Sequence, residues 1–336
     1  MKKLLLFVSL LAVTSLFGVT AAEVENYRKA AEKGDAKAQY KLGLCYADGE
    51  GVSKDLKQAV YWWKKSAEQG DAEAQYNLGI CYEKGYGVSK DLTQAAFWWK
   101  KSAEQGDVDA QFNLGNCYYN GKGVSKDLTQ AVYWYRKAAE QGYVNAQYNL
   151  GICYEKGNGV SKDLTQAAFW WKKSAEQGYA GAQFNLGVCY YNGFGVPKDL
   201  KQAVYWYRKS AEQGYAKAQF NLALCYYNGY GVSKDLKQAV YWFRKSAEQG
   251  VAEAEYNLGA CYYDGYGVPK DQTQAVYWYR KSAEQGLANA QYNLGVCYAN
   301  GEGVSKDLKQ AVYWFRKAAE QGFASAKEAL KKRGVE

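Results

Sequence analysis

Apolar residues in this chain recur with the period of a helix, and each apolar run stops at glycine. Between Asp35 and Gly70, the residues Ala38, Leu42, Cys45 and Tyr46 stand at i, i+4, i+7 and i+8, which is one face of a helix. Gly49-Glu50-Gly51 then breaks the pattern, and two glycines one residue apart suit a backbone that needs positive φ or a close neighbour. A second apolar face follows, formed by Leu56, Ala59, Val60, Trp63 and Ala67, and Gly70 stops it. Asp55 stands where an N-cap carboxylate accepts from the first free amides, with Gln58 placed to complete a capping-box-like pair. The segment therefore predicts two antiparallel helices, A and B, joined by a tight turn.

This 36-residue pattern repeats eight times without a gap from Asp35 to Gly322, as residues 35–70, 71–106, 107–142, 143–178, 179–214, 215–250, 251–286 and 287–322. The cysteines Cys45, Cys81, Cys117, Cys153, Cys189, Cys225, Cys261 and Cys297 keep the same period. One helix pair cannot bury its own apolar stripe, whereas stacked pairs bury a continuous one, so a fixed period of this length predicts an all-α solenoid. Gly43 recurs as Gly79, Gly115, Gly151, Gly187, Gly259 and Gly295, and only Ala223 departs; a small residue there lets the partner helix approach. Residues 23–34 resemble the tail of a helix B and residues 323–336 the start of a helix A, so both are read as capping pieces, with Lys331-Lys332-Arg333 solvating the end.

Residues 1–22 break the pattern. Lys2 and Lys3 precede the apolar run Leu4–Val19 and the small residues Thr20-Ala21-Ala22, which is the layout of a secretory signal peptide cleaved after Ala21 or Ala22. The run is short for a membrane anchor and is diluted by Ser9, Thr14 and Ser15. The expectation is a bacterial protein exported to the periplasm or beyond the cell, a monomer with no membrane span after signal removal.

Charge adds little: the net value is +9, with no block of like charges to suggest a nucleic-acid partner. The absence of histidine removes the commonest general base and metal ligand. No nucleophile elbow, zinc motif, phosphate loop or Ser-x-x-Lys pattern is present, so no catalytic residue, metal or cofactor is assigned.

The arrangement Ala74, Leu78, Gly79, Tyr82, Gly85, Gly87, Val88, Asp91, Ala95, Trp99, Ala103 and Gly106, whose spacing and turn glycines recur in every unit, resembles the Sel-one-like repeat, a longer relative of the tetratricopeptide repeat. The resemblance covers the chain from about Glu25 onward. It implies a right-handed superhelix with helix A on the concave side and a non-catalytic scaffold that grips a protein or peptide. A cysteine-rich secreted subgroup of that family bridges its two helices with two cysteines per repeat, and some of its members are credited with penicillin-related activity. This chain has one cysteine per repeat, so that bridge cannot form. A penicillin-binding or peptidoglycan-related enzyme, and a binder of cell-wall glycan or a spacer, are the alternatives.

Equivalent cysteines on stacked helices should lie about 8–10 Å apart, beyond the roughly 7 Å Cα separation a disulfide tolerates. The expectation is eight buried, unpaired core thiols.

Comparing the copies with one another separates structure from recognition. The seventh position of the unit is Lys41 and then Asn77, Asn113, Asn149, Asn185, Asn221, Asn257 and Asn293. Each asparagine precedes Leu-Gly or Leu-Ala, and in clamp-type tetratricopeptide domains the matching asparagine holds a peptide. Such a row can pair with an extended chain, or it can bond along the solenoid from helix to helix. The thirteenth position varies and is tyrosine at Tyr119, Tyr191, Tyr227 and Tyr263, with Phe194, Tyr230 and Tyr266 beside the turns. These aromatics are the expected partner anchors.

Overall fold

The computed structural model describes residues 18–335. Its contacts divide the chain within one helix into two compact units, residues up to 153 with 157–161, and residues 154–156 with 162 onward. The described part of the first unit holds α1 (Ala21–Glu32), α2 (Ala36–Asp48), α3 (Leu56–Glu68), α4 (Ala72–Lys84), α5 (Leu92–Glu104), α6 (Val108–Asn120), α7 (Leu128–Glu140) and most of α8 (Val144–Lys156). The second holds α9 (Leu164–Glu176), α10 (Ala180–Asn192), α11 (Leu200–Glu212), α12 (Ala216–Asn228), α13 (Leu236–Ala247), α14 (Ala252–Asp264), α15 (Gln272–Glu284), α16 (Ala288–Asn300), α17 (Leu308–Glu320) and α18 (Ala324–Lys331). Every described regular element is helical, and within each unit each helix packs on the next in sequence. The chain is an all-α solenoid of tandem helix pairs, A and B in each repeat.

Local sequence sets the helix ends. Each helix A stops at a glycine in the left-handed region, such as Gly85 at φ 78°, whose N–H donates to the Cys81 carbonyl. The next glycine but one has a different task. At Gly123 (φ 74°) a side chain would collide with the Leu92 carbonyl at the start of the preceding repeat's helix B. Each helix B is capped by aspartate: Asp55 accepts from the N–H groups of Lys57 and Gln58. The capping is one-sided, because the exposed Gln58 side chain makes no return bond to the Asp55 backbone among the described hydrogen bonds.

The core lies at the junctions between repeats. Ala59, Val60, Trp63 and Ala67 of α3 pack against Ala74, Leu78 and Cys81 of α4 and against Trp98 of α5. The same set recurs in the second unit, where Ala203, Val204, Tyr207 and Ala211 meet Ala218, Leu222 and Cys225. Helix B is buried on a wider arc than its single apolar stripe predicts, because neighbouring aromatics splay apart. Trp62 packs back on Val24, Ala31 and Leu42, while Trp63 packs forward. The mid-helix glycine admits that second ring: a Cβ on Gly115 would stand 2.7 Å from Tyr135.

A buried polar ladder runs through this core. Gln75 is 3% exposed, donates to the Ala67 carbonyl at 3.0 Å and accepts from Gln105 at 2.8 Å. Ser102 donates to the Ala72 carbonyl at 2.8 Å. Buried amides and hydroxyls are tolerated only when paired, so these bonds fix the register between helices.

At the N-terminus, Thr20 caps α1 through a reciprocal bond pair with Glu23. The expected signal peptide lies largely outside the described residues, and its expected cleavage points fall in the first turn of α1. At the other end Ala326 and Leu330 of α18 cover Phe315, and the Arg333 guanidinium lies 4.9 Å from that ring's centre. Among the described residues no helix is long and apolar enough to cross a membrane.

Candidate functional site

The helix-A face and its turns hold the residues that differ from repeat to repeat, and the structure shows how each is engaged. The asparagine row is half-buried throughout. In the first unit Asn77 meets the hydroxyl of Tyr40, Asn113 that of Tyr76 and Asn149 that of Tyr135. In the second, Asn221 meets Tyr207 and Asn293 meets Tyr279. In all five pairs the tyrosine belongs to the preceding repeat. Burial holds these phenols well above their ordinary range, so they stay neutral. Asn257 instead donates to the Glu253 carbonyl at 2.7 Å. Each of the five amides thus lies beside a phenol of the preceding repeat, with no hydrogen bond of ordinary geometry between them among the described bonds.

The thirteenth-position tyrosines are half-buried, and the turn aromatics are the more exposed. The reason is pairing across junctions. In the second unit Tyr191 meets Tyr230 of the next repeat at 6.2 Å between ring centres, and Tyr227 meets Tyr266 at 6.4 Å. Phe194, Tyr230 and Tyr266 are left 48%, 42% and 44% exposed. The run ends where Tyr263 donates to Glu302 at 2.6 Å, a bond that holds the phenol proton up to about 12. Lys234 and Lys270 lie 5.8 Å and 5.6 Å from the ring centres of Tyr227 and Tyr263. Three successive repeats thus build one aromatic ridge edged with ammonium groups. In the first unit the equivalent Tyr119 accepts from Asn158 at 3.2 Å.

The junction between the second and third repeats lacks such a pair. Glu83 stands at the thirteenth position and bonds the neighbouring Lys84 at 3.0 Å. A cavity of about 260 Å3 is left, lined by Trp99, Asn113, Asn116 and Asn120 together with Glu83 and Lys122. Asn116 accepts from Tyr135 at 2.7 Å, and Trp99 Nε1 is buried without an acceptor. Sequence reasoning did not reach this cavity. Its one signal is Asn116 at a position that is otherwise aliphatic or alanine.

All eight cysteines are buried and none is in a disulfide. Burial raises Cys81, Cys189, Cys225, Cys261 and Cys297 to about 12 and Cys117 to about 11. Such thiols are poor nucleophiles. Among the described residues no three histidine, cysteine, aspartate or glutamate side chains gather as a metal site.

Tandem helix pairs of 36 residues with glycine-closed turns define a repeat scaffold. The Sel1 repeat profile matches residues 24–35, 36–71, 72–107, 108–143, 144–179, 180–215, 216–251, 252–287 and 288–323, and the chain belongs to the Sel1 repeat family. Among solved structures it is similar to c5321, a protective antigen of uropathogenic Escherichia coli displaying an SLR fold, with 42% identity and a TM-score of 0.88 over 94% of this chain and 69% of that one. It is also similar to a Sel1 repeat protein from Oxalobacter formigenes, with 36% identity and a TM-score of 0.70 over 93% of this chain and 91% of that one. Comparison with the curated proteins finds no match.

Proposed function

We propose that the chain is a non-catalytic scaffold that holds a protein or peptide partner on its helix-A face, anchored on the aromatic ridge of the second unit. The observation that carries this is the run Phe194, Tyr230 and Tyr266, exposed at positions that the fold leaves free to vary. Tyrosine and phenylalanine held rigid by neighbouring rings offer large contact area at small entropic cost. Membership of a repeat family used widely for protein interaction supports the reading. The Lys2-Lys3 start and the apolar run after it support export from a bacterial cell, with the periplasm or the outside as destination.

Crosslinking in the native cell followed by mass spectrometry names the partner. Replacing Phe194, Tyr230 and Tyr266 with serine should abolish its capture while the helical spectrum is kept. Retained capture rejects the ridge. Replacing Asn149, Asn185 and Asn221 with alanine tests the amide row separately. The non-catalytic reading fails if a fluorescent penicillin labels the folded protein covalently.

A further inference from the structure

We propose that the outer face of the helices B in the second unit binds a linear acidic polysaccharide, one ring to each repeat. This surface is separate from the aromatic ridge and does not depend on the peptide reading. Phe169, Tyr205, Tyr241 and Tyr277 occupy one position of successive repeats and are 47%, 48%, 50% and 49% exposed. Each stands edge-on to the buried or half-buried tryptophan that follows it, with ring centres 4.9–5.1 Å apart. Among the described residues these rings are left about half in solvent. The position is aromatic in all eight repeats, and Phe97 and Phe169 show that the ring is kept where the hydroxyl is not. A solvated helix face has no need of a ring; a ligand with flat C–H faces does.

The charges say which ligand. One turn on from each ring a lysine carries its ammonium 5.3–5.9 Å from the ring centre: Lys173, Lys209, Lys245 and Lys281. Each helix B of the unit has more lysine and arginine than glutamate. Part of that charge is balanced locally, as in Lys172 with Glu176 at 3.9 Å, so each of these helices keeps a small positive excess, although the seventh repeat over its whole length carries more aspartate and glutamate than lysine and arginine. One ring and one or two free charges for each helix-pair step of about 8–10 Å fit a polymer with a carboxylate on about every second sugar. Nucleic acid carries a phosphate on every nucleotide, a denser charge than this surface answers. The rings lie along the helix beneath their lysines, which suits a chain laid across them and not insertion into a bilayer.

The test uses the full-length protein and hyaluronan fragments several disaccharides long, with neutral chitin fragments and oligothymidylate as comparators. Calorimetry should show hyaluronan binding that weakens as salt is raised and is absent for the neutral chain. Replacing Tyr205, Tyr241 and Tyr277 with serine should weaken it about tenfold or more for each ring lost, with thermal stability kept. The three phenylalanine variants should bind as the native protein does. Absent binding, equal binding of either comparator, or full affinity in the serine variants overturns the proposal.

Discussion

Glu255 is the residue where this chain departs most sharply from its own rule. Seven repeats place glutamine at this buried site, where it donates to a backbone carbonyl eight residues earlier, as Gln219 does to Ala211 at 3.1 Å. In the seventh repeat the site is Glu255, 2% exposed, which accepts from Gln285 at 2.7 Å. An ionised carboxylate has no proton for the Ala247 carbonyl, and α13 ends at Ala247, one residue short of the other helices B. Burial raises the Glu255 pKa, with the charge of Glu284 adding to it and Gln285 and Lys281 opposing. A raised folded pKa means that its contribution to stability is complete below the unfolded value, near 4.3, and is lost as pH rises through the folded one. Glu255→Gln should therefore stabilise the protein at pH 7 by about 0.5–1.5 kcal/mol. The gain should shrink toward pH 4, as chemical denaturation at both values will show. The thiols give a second expectation at this scale. Intact protein should react slowly with a thiol reagent, and denatured, unreduced protein should titrate close to eight thiols. Few thiols before reduction and eight after it would mean bridges between repeats.

At the scale of the element, the turn after helix A does two jobs with two glycines; the sequence named both a positive φ and a close neighbour, and the structure shows which glycine serves which. The first is a helix stop, as the break in apolar period implied. The second brings its Cα against the preceding helix B, so Gly123→Ala meets both the left-handed backbone and the Leu92 carbonyl. The backbone part alone costs about 1–2 kcal/mol, and Gly123→Ala should lower the melting temperature more than Gly106→Ala, whose position is open. The end helix is likewise structural. Leu330 closes the last core cluster, and Leu330→Ser should cost about 1.5–3 kcal/mol in denaturant unfolding.

For the molecule as a whole, stability is distributed over junctions, because each core cluster joins one repeat's helix B to the next repeat's helix A. Leu186→Ala and Leu294→Ala, both fully buried in the second unit, should each cost about 2–5 kcal/mol. With no shared neighbours, their double variant should be additive within roughly 0.5 kcal/mol. A clear excess or deficit in equilibrium unfolding would show coupling beyond nearest neighbours. The helix pairs, their caps and stops, the repeat and the buried thiols were all determined by sequence alone, since each rests on spacing that a single helix imposes. What lay out of reach depends on which side chains meet across a junction. Gln75 has no part in the apolar stripe, and only the Ala67 carbonyl and Gln105 make it a core residue. The asparagines left two readings open in sequence, and only the packing shows that five of them lie beside tyrosines of the repeat before. Phe169 and Tyr205 stand off the apolar stripe of helix B, and the packing leaves them half in solvent. Period fixes which residues share a face of one helix, but the rotation of each helix against its two neighbours decides which of those faces meet water.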